Sequence, residues 1–343
     1  MGQIKILNPG LLTTVQDEGR VGYQQFGVPV SGVMDYFSYK VANILVGNDE
    51  KEAVLEVTML GPQIIFEEGT VIAITGGKLS PMINGKAIPM WKSIHVKKDD
   101  QLSFGGMKEG CRSYIAFAGG INVPEIMGSK STYMKGKIGG YEGRPLKKGD
   151  KLKIGSPKES LLKLTGRAVS AKYIPEYKNS LEVRVLLGPQ EEYFTEKGIE
   201  TFLSQSYTVT NECDRMGFRL DGEEIEHKEG ADIISDGIAF GAIQIPGHGK
   251  PIIMMADRQT TGGYTKIANV IYADLERIAQ AKPGDIISFK KVSIEEAQSI
   301  LKEVEERITA IKKECVAREI IDTKEYRLKI NGKFYEVKVE EIK

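Results

Sequence analysis

Leu60-Gly61-Pro62-Gln63 and Leu187-Gly188-Pro189-Gln190 are the same four residues at two places in the chain. The residues after each of them decide the fold. Ile74-Thr75 returns as Val209-Thr210, and the turn Ile83-Asn84-Gly85 returns as Leu220-Asp221-Gly222. Tyr114-Ile115-Ala116-Phe117-Ala118 returns as Ile252-Ile253-Met254-Met255-Ala256, and Gly149-Asp150-Lys151-Leu152 as Gly284-Asp285-Ile286-Ile287. Turn residues recur in any all-β chain, but landmarks in one order at a nearly constant offset mark two copies of one unit. Each copy consists of short apolar runs between Gly, Asn and Asp turns, the pattern of β-strands. Asn84-Gly85 and Asp221-Gly222 suit two-residue hairpins of type I′, which need positive φ at both central positions. About a hundred residues of short strands per copy favour a closed barrel, which leaves no unpaired edge.

Working outward, Ser156 to Ser180 reads as the connector between the copies. Asp35 caps a helix with Phe37, Val41, Ile44 and Leu45 on one face, ending at Gly47. A short, broken helix is expected within Tyr193 to Leu203. Ser293 with Glu296 forms a capping box before an amphipathic run from Ala297 to Ile311. Asn331-Gly332-Lys333 then separates two strand-like runs, a terminal hairpin. The expected organisation is an N-terminal segment and first barrel over 1–155, a second barrel over 181–292, and a helix-plus-hairpin extension over 293–343.

The chain has 343 residues, with 47 basic and 47 acidic side chains and no formal net charge. That balance argues against nucleic-acid binding, which rests on a basic surface. No run approaches the ~18 apolar residues of a membrane span, and the first ten residues lack the pattern of a secretory signal. The expected location is the cytoplasm, which suits three scattered cysteines, Cys111, Cys213 and Cys315. The P-loop, the dinucleotide fingerprint and the nucleophile elbow are absent, and the three histidines show no metal-ligand spacing. No metal site is expected.

Three polar segments remain. The first runs Gln16-Asp17-Glu18-Gly19-Arg20, then Gly22-Tyr23 and Gly27-Val28-Pro29-Val30-Ser31-Gly32-Val33-Met34-Asp35. Its glycines let backbone approach a ligand closely, while Asp17 and Arg20 suit either an amide ligand or a loop held by an Asp–Arg pair. The second is Asp214-Arg215-Met216-Gly217, a charged pair where the first copy has glycines; a surface ion pair is the plain alternative. Cys213 beside Arg215 suits a buried, inert thiol better than an activated one. The third joins Gln244 to Asp257-Arg258-Gln259-Thr260-Thr261-Gly262-Gly263-Tyr264-Thr265-Lys266. It sets a carboxylate, neutral donors and acceptors, and a backbone-exposing turn at the end of an apolar strand; an ordinary hydrogen-bonded loop has the same composition.

These segments, with Gly128-Ser129-Lys130-Ser131-Thr132, resemble the signatures of the 5-oxoprolinase C-subunit family, also called KipA-type, allophanate hydrolase subunit 2-like or biotin-dependent carboxyltransferase-like. The resemblance spans roughly residues 4–292. It implies a mainly β fold of two duplicated cyclophilin-like barrels. It also implies ATP, with Mg, used in an assembled complex with two other proteins, a KipI-type B subunit and a LamB/YcsF-type A subunit. Together they hydrolyse 5-oxo-L-proline to L-glutamate, the chain being inactive alone. Two alternatives travel with it: a biotin-dependent carboxyltransferase acting on urea or a related amide, and a regulator that binds a KipI-type kinase inhibitor. At the matching positions, Asp17, Arg20, Asp214, Arg215 and Asp257 are the expected catalytic residues. Gln16, Tyr23, Ser31, Gln244, Gln259, Thr260, Gly262, Gly263, Tyr264 and Lys266 are the expected substrate contacts. Donors are needed because an amide is a poor electrophile whose developing charge must be stabilised. Cys213 and His248 depart from the family pattern. The terminal hairpin resembles the opening of a biotinyl carrier domain without its Met-Lys-Met acceptor.

Overall fold

The computed structural model describes residues 2–316 and 320–342. Twelve strands make the first unit: β1 Gln3–Asn8, β2 Leu12–Gln16, β3 Val54–Thr58, β4 Gln63–Phe66, β5 Thr70–Lys78, β6 Pro81–Ile83, β7 Lys86–Ala87, β8 Ser93–Val96, β9 Gln101–Phe104, β10 Glu109–Phe117, β11 Ile121–Asn122 and β12 Lys151–Ile154. They pair as two sheets, in the orders β11-β12-β1-β4-β9-β6-β7 and β2-β3-β10-β5-β8. Alternate apolar residues of both sheets, such as Ile4, Ile6, Leu55, Val57, Ile72, Ile74, Ile115 and Phe117, meet in one core.

The second unit holds β13 Ser180–Leu187, β14 Ser206–Cys213, β15 Gly217–Asp221, β16 Asp232–Gly237, β17 Ala242–Gln244, β18 Ile252–Met254, β19 Thr261–Tyr264, β20 Lys266–Val270 and β21 Ile286–Lys291. Seven of these strands close into a barrel in the order β13-β20-β17-β18-β15-β14-β21, while β16 and β19 form a separate ribbon. The landmarks fall on strands in the expected order, β3 matching β13 and β5 matching β14. Their neighbours differ: β3 lies between β2 and β10, whereas β13 lies between β20 and, in parallel, β21.

Helix α1, Tyr36–Leu45, is capped by Asp35, whose carboxylate accepts from the Ser38 N–H at 2.9 Å. It packs its apolar residues on Val54, Ala73, Tyr114 and Ala116 of the five-stranded sheet. The connector contains α2, Leu161–Leu164. The broken helix resolves into a turn at Glu191–Tyr193 and α3, Glu196–Ser204. Helix α4, Tyr272–Ala279, carries no side-chain cap at Ile271 and has no sequence signature. The capping box is made in both directions, Ser293 N–H to Glu296 at 2.7 Å and Glu296 N–H to the Ser293 hydroxyl at 3.1 Å. It opens helix α5, Ile294–Val316, which covers α1 through Ile308, Ile311 and Cys315. The terminal hairpin pairs β22 Ile320–Ile330 with β23 Lys333–Ile342.

One turn reading is corrected. Asn84-Gly85 and Asn331-Gly332 take the positive φ of a type I′ turn, but Asp221 and Gly222 do not. Gly222 is needed for a different reason: a Cβ there would lie 2.6 Å from the Tyr207 ring. No helix among the described residues is long and apolar enough to cross a membrane.

Candidate functional site

At the end of β14 the chain turns sharply. The Asp214 carboxylate accepts from the N–H groups of Met216 (2.7 Å) and Gly217 (3.2 Å). The turn is stitched to the segment after β18, where the Asp257 N–H donates to the Arg215 carbonyl at 2.7 Å and the Met255 N–H to that of Met216 at 2.9 Å. Alternation then divides the side chains. Asp214 and Met216 line an open cavity, while Arg215 points into the protein and is buried.

Arg215 is a tie between the units. It donates in a fork to the two Asp257 oxygens at 3.0 Å each, to the Gly32 carbonyl at 2.6 Å, and to Glu56 on β3. The other Glu56 oxygen accepts from the Tyr114 hydroxyl at 2.9 Å and the Met34 N–H at 2.8 Å. Burial by itself lowers the Arg215 pKa, but Asp257 and Glu56 outweigh it and hold it above the usual arginine value. A cation desolvated this far is tolerated because its donors meet fixed acceptors, two of them carboxylates. Met34 continues the link by entering the core of the second unit. Gln280, after α4, donates to Asp35 at 2.7 Å and accepts from the N–H groups of Cys111 and Arg112.

The N-terminal signature folds into a knot beside this tie. The Asp17 carboxylate accepts from the Gly19 N–H, the Ser129 hydroxyl, the Lys130 N–H and the Ser131 hydroxyl, gripping the segment Gly128–Thr132. Arg20 is fully buried; one Nη donates to the Ser131 carbonyl, while Nε and the other Nη have no partner among the described residues. Burial lowers its pKa, opposed first by Asp17 and then by Asp257. The Gln16 Oε1 and the Ser31 hydroxyl are likewise buried without partners among the described residues, and Ser31 adopts φ +55°. Tyr23 sits on the outer loop that comes next, at the start of the turn Gln24–Phe26, with Phe26 72% exposed.

The cavity has a volume of about 630 Å³ and belongs to the second unit. Gln244, Gln259 and Tyr264 line it with Asp214; so do Asn211, Cys213, Met216, Arg219 and His248. Gln244 is 2% exposed, and its Nε2 donors have no partner among the described residues. A Cβ at Gly262 would stand 2.9 Å from that nitrogen, so the glycine leaves it room. Burial pushes the Cys213 thiol up, and Asp214 adds to this against Arg112, which disfavours a thiolate. Arg219 pairs with Glu212 at 2.9 Å.

The expected residues therefore separate. Asp214, Gln244, Gln259 and Tyr264 come together at the cavity; Arg215 and Asp257 lie in the tie; Gln16, Asp17, Arg20 and Ser31 lie in the knot. Thr260 accepts from the Ile238 N–H through its carbonyl, and Gly262 and Gly263 shape the ribbon. Lys266 is held by Asp236 at 3.2 Å. Sequence reading passes over Glu56, the charge inside Val54-Leu55-Glu56-Val57, where an acid in an apolar strand is the available signal. It also passes over Arg258, whose guanidinium lies 5.4 Å from the Phe240 ring and whose pKa burial lowers to about 10. No spacing marks His248, which reaches the cavity through the fold alone.

Residues 26–291 match the family model for the carboxyltransferase domain, subdomain A and B. The chain is 36% identical over 294 residues to the C subunit of 5-oxoprolinase from Escherichia coli (strain K12), covering 86% of this chain and 93% of that one. It is 39% identical over 312 residues to the urea amidolyase of Saccharomyces cerevisiae, covering 87% of this chain but 17% of that much longer protein. Among solved structures it is similar to the K. lactis urea amidolyase, with TM-score 0.85 and 33% identity, over 90% of this chain and 20% of that one. It is also similar to TTHA0988, with TM-score 0.77 and 31% identity, over 84% of this chain and 56% of that one.

Proposed function

The chain belongs to the family of carboxyltransferase domains with subdomains A and B, and from that premise we propose that it serves as the C subunit of a 5-oxoprolinase, opening 5-oxo-L-proline to L-glutamate with ATP. One observation carries the chemical part of this reading: the partnerless amide nitrogen of Gln244, buried in the wall of a 630 Å³ cavity beside Gln259 and Tyr264. A buried donor without a partner costs roughly 1–3 kcal/mol, which a ligand oxygen relieves. A lactam presents a carbonyl oxygen and an N–H in one plane. Gln244 donates to the oxygen, and Asp214 accepts from the N–H. Transfer of the γ-phosphoryl group of ATP to that oxygen, with ADP leaving, gives an imidate phosphate. Water then adds to its carbon, the C–N bond opens to give γ-glutamyl phosphate with a free amine, and a second water releases phosphate and yields glutamate. Arg219 is the cation on the cavity wall suited to the substrate carboxylate. Arg215 and Asp257, whose groups bond each other, act as positioning residues for the wall. The reading places a KipI-type B subunit and a LamB/YcsF-type A subunit beside this chain, in the cytoplasm.

The 39% identity to a urea amidolyase favours a second reading, carboxyl transfer from biotin to urea or a related amide. Reconstitution separates the two. The chain mixed with both partner types, ATP and 5-oxoproline should form glutamate, and omitting the chain should stop it. Absence of glutamate, together with urea- and bicarbonate-dependent ADP release when a biotinyl protein is added, would replace the first reading by the second. Tight binding to the KipI-type partner with no amide turned over would leave only regulation.

A further inference from the structure

The wall that holds Gln244 is a sheet surface, and strand pairing fixes what stands beside it. Ile252 on β18 is the partner of Gln244 on β17 at one side and of Arg219 on β15 at the other. Residues directly opposite in an antiparallel sheet share a face. The alternate set, Phe218, Ile253 and Ile243, fills the barrel core, so the row Gln244, Ile252, Arg219 faces outward, onto the cavity. Strands lie about 4.8 Å apart, which sets the two ends of the row about 10 Å apart at Cα. The row reads amide, hydrocarbon, guanidinium. Ile252 packs against Ile238, Ala242 and Met254, so the middle of the row is an apolar floor. Arg219 is tied to Glu212 alone, with side chains 52% and 75% exposed. A pair so open to water is weak, and a ligand carboxylate can take the place of Glu212.

The loop that joins β17 to β18 carries His248, a departure from the family pattern. The loop is pinned: the Gly249 N–H donates to the Pro246 carbonyl at 2.9 Å, and the Gly249 carbonyl accepts from the Ile225 N–H at 2.9 Å. The Lys250 N–H donates to His248 Nδ1 at 3.1 Å. With Nδ1 an acceptor, the neutral ring carries its proton on Nε2. The ring lines the cavity, so a fixed tautomer brings a neutral N–H donor to it.

We infer that His248 is a specificity-determining residue of this cavity: its Nε2–H, together with Arg219, holds a carboxylate carried by the amide whose oxygen Gln244 takes. The ligand class is a small cyclic amide with a carboxylate on the carbon next to its nitrogen. Its ring methylenes lie on Ile252, and its two polar ends meet the two ends of the row. Urea has neither methylenes for the floor nor a carboxylate for Arg219 and His248. The inference rests on the amide site proposed above and deepens it, but ligand selection is measured without turnover.

The test titrates the full-length chain with 5-oxoproline and with 2-pyrrolidinone, the same lactam without its carboxylate, by calorimetry. Wild type should prefer 5-oxoproline by about tenfold or more, each tenfold being about 1.4 kcal/mol. His248→Leu should weaken 5-oxoproline by about five- to tenfold, the loss of one hydrogen bond to a charged group, and leave 2-pyrrolidinone unchanged. His248→Gln, which keeps an N–H donor on a side chain of similar reach, should recover most of the loss. His248 is exposed, so an unaltered melting temperature checks the fold. A residue that only shapes the loop would weaken both lactams together. Equal affinity of wild type for the two lactams, equal loss of both in His248→Leu, no recovery in His248→Gln, or no saturable 5-oxoproline binding would overturn the inference. Selective 5-oxoproline binding by a chain whose complete complex makes no glutamate would sink the oxoprolinase reading and leave the role of His248 standing. Glutamate formed by a His248→Leu complex with kcat/KM unchanged would do the reverse.

Discussion

Two turns at corresponding places in the two units show how one scaffold is put to different uses. In the first unit the end of β5 reads Gly76-Gly77-Lys78-Leu79-Ser80; in the second the end of β14 reads Asn211-Glu212-Cys213-Asp214-Arg215. The first turn is closed by packing. A Cβ on Gly76 would lie 2.4 Å from the Arg112 carbonyl, and one on Gly77 would lie 3.0 Å from the Gln280 side-chain oxygen. The Ser113 hydroxyl donates to the Gly77 carbonyl across the same gap. The second turn has room on both sides and uses it, sending Asp214 to the cavity and Arg215 into the tie. A position that must approach its neighbours closely has no side chain to spare for chemistry, and the unit that keeps space there is the one that carries the cavity.

The comparison breaks most severely at Arg215. Arg215→Met strands Glu56 and Asp257, two buried carboxylates, without their cation. Removing one member of a buried ion pair costs about 3–5 kcal/mol, so the variant should melt far lower or populate unfolded chain at neutral pH. Denaturant unfolding of wild type and variant measures this. A loss below about 1 kcal/mol, the level of an exposed pair, would mean that the tie does not join the units.

The first turn gives the next effect. Gly76→Ala must hold φ +82° and push aside the Arg112 carbonyl, at a combined cost of about 2–4 kcal/mol for strain and crowding. Substitution of Asp214 by Asn in the second turn keeps the acceptor that closes it and should cost under about 1 kcal/mol. If the two variants unfold alike, the turns do not differ in the way their surroundings indicate.

How much of the molecule is legible in its chain depends on the range of the forces involved. The caps at Asp35 and Ser293 are readable because donor and acceptor lie three residues apart. The duplicated order is readable because turn chemistry is local. Helix α4 is not, because it has no cap and its apolar face is chosen by packing on β13 and α5. Asp221-Gly222 misleads because two demands select glycine, positive φ and close approach, and the sequence does not say which. The site obeys the same rule. Gln244, Gln259 and Asp214 can be named from residue type, but the division into cavity, tie and knot depends on which way a side chain points after a turn. Glu56 and Arg215 are 159 positions apart, and no local pattern links them.

The smallest effect on stability falls at Gln244, and it discriminates best. Arg215 is saturated with partners and holds the wall; Gln244 has a donor to give. Replacing Gln244 by Leu removes a buried amide whose nitrogen has no partner in the free protein, so unfolding stability should stay within about 1 kcal/mol of wild type or rise, relief of an unsatisfied donor offsetting the change of shape. Turnover should respond in the opposite sense. A hydrogen bond that strengthens as charge develops on the amide oxygen is worth about 10²–10³ in kcat, so the assembled complex should lose activity on that scale with its melting temperature unmoved. Gln244→Glu, which presents an acceptor where a donor is needed, should be no better. A scaffold residue would show the reverse, a lower melting temperature with kcat per folded molecule intact. That outcome would move the chemistry out of the cavity and toward the partnerless nitrogens of Arg20.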